Sequence, residues 1–340
     1  MLLTSFALAA LALALAWPVP ILLARAQWPS RAPATALIVW QSIALAGGLS
    51  MIGAMLTYGL APFGADLVNG LRGFAGELTA GALPVGANFS QMFALSGAIL
   101  LSVHLLLSLV TTFVQAERSR RRHRQLVTLL SDPMPERPGT RLIDHAAPVA
   151  YCLPGTTRSV TVLSAGLIAL LDEEQLRAVI AHETAHASQR HHLVLLAFRA
   201  WRRALPWFPI ATRAHEAVAM LVEMMADDQA RRAVSDAALV RSIVLVASES
   251  SGQVGSSTQQ DSTRVPVPSA GSREAIVSTF DRQSALDRPL AADGPTAARR
   301  ISRIVDARVP LSAFARGSAT TCAVALIAVP TVLLLAPAFA

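Results

Sequence analysis

The sequence predicts a mostly α-helical membrane protein: four transmembrane helices, with a soluble α+β domain between the third and fourth. Three observations lead there. Of 340 residues, 53 % are hydrophobic and only 15 % are charged, a balance that indicates bilayer segments rather than a soluble globule. Four apolar runs each reach the roughly 20 residues that a bilayer crossing takes. One long stretch of soluble character, from Gln115 to Arg316, has enough chain for a domain with its own core.

The first run covers residues 2–24. No Lys or Arg precedes it and it exceeds the roughly 7–15 residues of a signal-peptide core, so we read it as a retained helix rather than a cleaved leader. Pro18 and Pro20 predict a kink near its end. Arg25 and Arg31 lie in the short connection to the second run, residues 35–60, where Gly47, Gly48 and Gly53 would let a neighbouring helix approach closely. The connection over residues 61–90, with Asp66, Arg72 and Glu77, is near neutral. The third run, 91–114, carries His104, which we expect to be a packed polar residue bonded to a neighbouring helix rather than a proton or metal site.

Five arginines follow at once, between Glu117 and Arg124. Such a run suits nucleic acid, but here it abuts a membrane helix, so anionic lipid is the expected partner and direct nucleic-acid binding is not expected. With the positive flank inside, the Arg25–Arg31 connection is also cytoplasmic, the N-terminus faces out, and the soluble domain lies in the cytoplasm. The fourth run, residues 317–340, follows Arg316. The expected divisions are therefore 1–114 (three spans), 115–316 (the soluble domain) and 317–340 (the last span). Cys152 and Cys322, one in the soluble stretch and one in an apolar run, make no disulfide framework.

Within the soluble domain, residues 147–155 and 158–163 read as two short strands around the Pro154-Gly155 turn, with Ser164 as a helix cap after them. Residues 249–272, rich in Ser, Gly, Gln and Pro, read as a mobile loop and a candidate place for self-cleavage.

The chemistry concentrates at His182-Glu183-Thr184-Ala185-His186. Asp172 is placed to cap a helix there, Glu173 and Glu174 suit its positive end, and Leu176, Val179 and Ile180 recur at helical spacing. Four residues apart on one helix, the two imidazoles converge on a point, as a Zn²⁺ ion needs, and Glu183 stands beside them as the base that takes a proton from water. A catalytic zinc takes a third protein ligand. Glu216, Met220, Glu223 and Asp227 share one helical face, and Glu223 is the expected third ligand. Asp227, one turn on, would bond the far nitrogen of a ligating histidine and fix its tautomer. The alternatives are Glu216 or Asp228 as ligand, or acids that are simply solvated.

Four segments carry a family resemblance: Tyr151-Cys-Leu-Pro-Gly155, the Gly166-Leu-Ile-Ala-Leu-Leu171 stretch, Leu176 to His186, and Glu223-Met-Met-Ala-Asp227. In this order they resemble the BlaR/MecR-type membrane zinc peptidases, and less closely the CAAX-prenyl-protease and HtpX-like gluzincins. The resemblance implies a multi-pass zinc endopeptidase of the bacterial cell membrane with a cytoplasmic gluzincin domain. It also implies a protein or peptide substrate, a transcriptional repressor in a BlaR/MecR-like signalling pathway being the specific expectation. Two departures stand out. The family commonly has Asp five residues after the second histidine, where this chain has His191, with His192 next to it. Helix geometry is expected to turn both away from His182 and His186, in a structural role. The extracellular penicillin-binding sensor is expected to be missing, which excludes β-lactam sensing through such a domain.

In that reading Zn²⁺ is held by His182, His186 and Glu223, and Glu183 passes the water's proton to the leaving amine. The strand at Val160–Leu163 would pair with an extended substrate by edge addition. His215, Arg299 and Arg300 are candidates for the oxyanion donor. The segment from Asp293 to Ile304 resembles the Arg-Ile segment near the end of related domains, against the alternative of a solvated or lipid-facing helix. Two other classes stay open: a membrane-bound regulatory or scaffold protein with a structural zinc site, which would have no use for Glu183, and a transporter, for which His104 is thin support.

Overall fold

The structure, a computed structural model, describes residues 1–81, 86–153, 160–206, 208–260, 294–306 and 309–335. Among these, helices α1 (Leu2–Ala16), α2 (Pro18–Arg25), α3 (Pro33–Gly59), α4 (Leu67–Thr79) and α5 (Phe89–Leu130) come first. Strands β1 (Ser131–Pro133), β2 (Thr140–Ile143), β3 (Ala150–Leu153) and β4 (Val160–Ser164) follow. Then come α6 (Ala165–Leu170), α7 (Glu173–Ser188), α8 (His191–Ala204), α9 (Pro209–Ala230) and α10 (Asp236–Gln260), and finally α11 (Gly294–Val305) and α12 (Ala313–Leu335). The chain forms two compact units: Met1–Thr111 with Phe198–Val218 and Pro310–Ala340, and Thr112–Ala197 with Ala219–Val309.

The first unit holds the apolar helices. Four stretches are long and apolar enough to cross a membrane: Leu2–Arg25, Pro33–Gly59, Phe89–Leu130 and Ala313–Leu335. They coincide with the four apolar runs, but their ends differ. The first breaks at Trp17, where Pro18 and Pro20 cannot supply amide donors. The third does not stop at the arginines; with no glycine or proline between Gly97 and Pro133, α5 runs on to Leu130. The fourth begins at Ala313, so Arg316 sits inside α12 rather than before it, and residues 336–340 lie outside the described ones.

Helices α1, α3 and α12 pack together. Ser5 Oγ donates to the Ala54 carbonyl at 2.9 Å. Of the three glycines expected to admit a neighbour, Gly53 does so: a Cβ there would lie 3.0 Å from Leu334 and 3.3 Å from Leu8. At Gly48 a Cβ would meet nothing within 4 Å. His104 and Ser108, polar residues within the third apolar run, serve the end of α8. His104 Nε2 lies 2.9 Å from the Ala204 carbonyl, and Ser108 Oγ donates to that of Ala200 at 3.0 Å. The Ala204 carbonyl is one of those that the end of a helix leaves without an internal partner. His104 thus bonds a neighbouring helix, as its surroundings in the sequence imply, but its side chain is exposed rather than packed.

The second unit is built on a four-stranded mixed sheet in the order β1-β2-β4-β3, with β2 and β4 parallel and the outer pairings antiparallel. Two of these strands, β1 and β2, carry no signal in the sequence pattern. The position of β4 corrects one expectation. Val160–Leu163 is bonded on one side to β2 and on the other to β3, so it offers no edge to a substrate. The Pro154-Gly155 turn lies outside the described residues. Ser164 caps α6 by accepting from Leu167 N–H at 3.1 Å, and it also donates to the Ala147 carbonyl at 2.7 Å. Gly166 follows because the backbone of Ala146 passes too close for any side chain: a Cβ would stand 1.8 Å from its carbonyl oxygen.

Helix α7 is held on two sides. Leu176, Val179 and Ile180 join Leu163, Leu167 and Leu171 in one apolar cluster. Ala178 and Ala181 pack instead with Ala230, Leu239, Ile243, Ala297 and Ile304. Its start is set by a capping box in which Asp172 Oδ1 accepts from Gln175 N–H at 2.8 Å and Gln175 Oε1 from Asp172 N–H at 3.2 Å. The stretch expected to be a mobile loop is corrected in its first half. Residues 249–260 continue α10, no proline interrupting the chain before Pro266, while 261–272 lie outside the described residues.

Candidate metal centre

Two helices bring three ligand groups together. From α7 come His182 and His186, one turn apart; from α9 comes Glu223, its carboxylate 2 % exposed. Donor atoms of the three lie within 4.8 Å of one another, and no other such group occurs among the described residues. The nearest separations are shorter. The two Nε2 atoms are 3.1 Å apart, and Glu223 oxygens lie 3.3 Å from His182 Nε2 and 3.4 Å from His186 Nε2. A tetrahedral ion with bonds of about 2.0–2.1 Å to nitrogen and oxygen has ligand–ligand edges of about 3.3 Å. The donor set and its spacing therefore fit zinc. The carboxylate supports this independently: both Glu223 oxygens are buried, and neither makes a hydrogen bond of good geometry. A buried carboxylate in that condition calls for cations, and Arg300, 3.3 Å from Oε2, leaves Oε1 free to face another.

Of the alternatives for the third ligand, Glu216 is exposed and falls in the first unit, so only the later half of the Glu216–Asp227 face is turned inward. Asp228 is engaged by Arg303, Nη1 to Oδ1 at 2.7 Å and Nη2 to Oδ2 at 2.8 Å.

Behind the imidazoles stands a ring of charged partners. Asp227 Oδ1 lies 3.0 Å from His182 Nδ1. Arg300 of α11, buried, donates to both oxygens of Asp227, from Nε at 2.8 Å and from Nη2 at 2.6 Å. Its Nη1 is also 3.3 Å from Glu223 Oε2. Burial would push the Asp227 carboxyl up, but the Arg300 guanidinium outweighs it and holds it at about 2. Burial and the Arg300 charge both oppose a charge on His182, yet Asp227 and Glu223 together raise it to about 9. The acceptors that favour a proton on this ring also favour a metal on it. Burial likewise opposes a charge on Glu223, and the facing His186 and His182 hold its carboxyl well below the usual range. Glu183 goes the other way. Burial raises its carboxyl above the ordinary glutamate range, only partly offset by His186 and His182, which is the direction a proton acceptor working near neutral pH needs.

Two expectations about this region are corrected. His191 is not turned away. Helix α7 stops at Ser188, Arg190 takes the left-handed conformation with φ +51°, and α8 starts afresh at His191. A projection that turns His191 aside assumes one continuous helix; the break returns its ring to His186, with the two Nδ1 atoms 3.2 Å apart. Burial first, and then the neighbouring His186, lower the His191 pKa to about 4. The arginines of α11 are likewise neither uniformly solvated nor lipid-facing. Arg299 is exposed, but Arg300 and Arg303 grip the adjacent acids Asp227 and Asp228. His215, the remaining oxyanion candidate, belongs to the first unit, where burial and then Arg202 and Arg199 lower its pKa to about 4.

A family model described as peptidase family M48 matches residues 113–306, more than half of the chain. No solved structure matches it.

Proposed function

The chain belongs to peptidase family M48, and we propose that it is a membrane-anchored zinc endopeptidase that cleaves a protein substrate at the cytoplasmic face of the bacterial cell membrane. The observation that carries this reading is the meeting of three donor groups: His182 and His186 Nε2, 3.1 Å apart on the helix that also bears Glu183, with the Glu223 carboxylate of α9 at 3.3 Å from one (Oε2) and 3.4 Å from the other (Oε1). His182, His186 and Glu223 would hold the ion. Zinc supplies a Lewis acid that polarises a peptide carbonyl and makes nearby water a better proton donor. The remaining work falls to the chain. Glu183 takes the proton from water and returns it to the leaving amine. Asp227 accepts from His182 Nδ1–H, leaving Nε2 bare to face the ion, and Arg300 holds Asp227 and balances the buried acids.

Four apolar helices support the membrane anchor, and the arginines of residues 117–124 support lipid contact on the cytoplasmic side. The likeness to BlaR/MecR-type peptidases suggests a repressor as substrate. The rival is a membrane scaffold with a structural zinc site. Glu183 favours the enzyme, since a purely structural ion has no use for a base whose proton affinity burial has raised. The test is a comparison of new protein N-termini in cells carrying wild-type or Glu183→Ala protein, each shown to contain zinc. Termini that disappear in the variant establish proteolysis and identify the substrate. Identical sets of termini favour the scaffold.

A further inference from the structure

We propose that His191 and Gln189 are positioning residues for His186, forming a proton relay that fixes which nitrogen of His186 faces the metal. The inference rests on the reading of His182, His186 and Glu223 as zinc ligands and adds to it the control of the second imidazole.

The relay follows from counting protons along one line of contacts. Gln189 Oε1 lies 2.9 Å from His191 Nε2. A carbonyl oxygen only accepts, so the hydrogen is on His191 Nε2. His191 Nδ1 and His186 Nδ1 are 3.2 Å apart, with the rings nearly perpendicular at 84°. Two imidazole nitrogens at that separation, with no cation shared between them, share one hydrogen; two bare nitrogens repel, and so do two N–H groups. His191 carries its proton on Nε2, so its Nδ1 accepts and His186 Nδ1 donates. His186 is thereby left with a bare Nε2, the atom 3.1 Å from His182 Nε2 and 3.4 Å from Glu223. The direction is the one a metal ligand requires.

The two zinc-facing imidazoles are thus oriented by different chemistry. His182 donates to the charged carboxylate of Asp227, itself bound by Arg300. His186 donates to a neutral imidazole that is oriented by a side-chain amide. His191 is not a further ligand, because it meets the far side of the His186 ring.

The experiment measures zinc affinity of the full-length protein in detergent, by competition with a chromophoric chelator. Substitution of such partners behind a ligand typically costs about 10–100-fold in metal affinity. His191→Ala should weaken zinc binding by about that much. His191→Asn, whose carbonyl reaches the place of Nδ1 and can accept, should recover most of the loss. Gln189 is exposed, so its variants leave the packing intact. Gln189→Glu, still an acceptor, should bind as wild type. Gln189→Lys, which can only donate, reverses the relay and should weaken binding as His191→Ala does. Wild-type affinity in His191→Ala, no recovery in His191→Asn, or equal affinity in the two Gln189 variants would each overturn the relay. A wild-type chain that binds no zinc would instead overturn the ligand assignment on which it stands.

Discussion

Arg300 grips Asp227 across 73 residues of chain with two charge-assisted hydrogen bonds, 2.8 and 2.6 Å long, both partners buried. The pair fastens α11 to α9 and stands directly behind His182. A two-pronged bond of this kind needs the guanidinium fork, which a lysine does not have.

Arg300→Ala should therefore destabilise the protein by roughly 3–5 kcal/mol, because it strands the buried Asp227 carboxylate without its cation. Arg300→Lys should recover only part of that. Thermal unfolding in detergent measures both, and an unchanged midpoint in Arg300→Ala would show that the pair stabilises nothing.

The same pair predicts an acid limit. Asp227 titrates at about 2 in the folded chain, against 3.8 for an ordinary aspartate, so its contribution is complete above pH 3.8 and is lost as the pH falls toward 2. Unfolding followed across that window should show a steeper loss for wild type than for Asp227→Asn, which has no proton to take up there. Equal slopes would remove Asp227 from the acid response.

Glu183→Ala should retain zinc while turnover of an unfolded protein substrate drops by about 10²–10⁴-fold, the usual scale for losing a general base. Metal content and turnover are measured on the same preparation. Full turnover would take Glu183 out of the mechanism.

A zinc ion held by His182, His186 and Glu223 would tie α7 to α9, so its removal should be felt in stability as well as activity. A chelator should lower the unfolding midpoint, and added zinc should restore it, with a shift that grows with free zinc concentration. In Glu223→Ala the midpoint should no longer respond to zinc. Undiminished metal content in that variant would move the third ligand elsewhere.

Features that depend on local spacing are legible in the amino-acid sequence. Asp172 three residues before Gln175 signals a cap, and His182 four residues before His186 places two rings on one face. Apolar runs of bilayer length locate the helices of the first unit. The partners of Arg300 are not legible in this way, because nothing local joins residue 300 to residue 227. The one hint is that Arg300 and Arg303, one turn apart, offer two forks to the adjacent acids Asp227 and Asp228. Strand β1, three residues ending in Pro133, is too short for a period of two to register. That β4 has neighbours on both sides depends on β2, which no pattern of residues announces. The place of His191 is hidden for another reason: helical projection presumes continuity, and a single residue in the left-handed region undoes it.

That residue, Arg190, sets a constraint of length rather than of composition. Helix α8 starts one residue beyond it, and each residue of helix turns the next side chain by about 100°. One residue added to or removed from the Gln189-Arg190 join would swing the start of α8 by that angle and carry His191 off the His186 ring. Gly or Asn could replace Arg190 at little backbone cost, whereas no side chain could compensate for a changed count. Other chains that hold the second imidazole in this way should thus be recognisable by an interval, five positions from that histidine to its acceptor, whatever residues fill the space between.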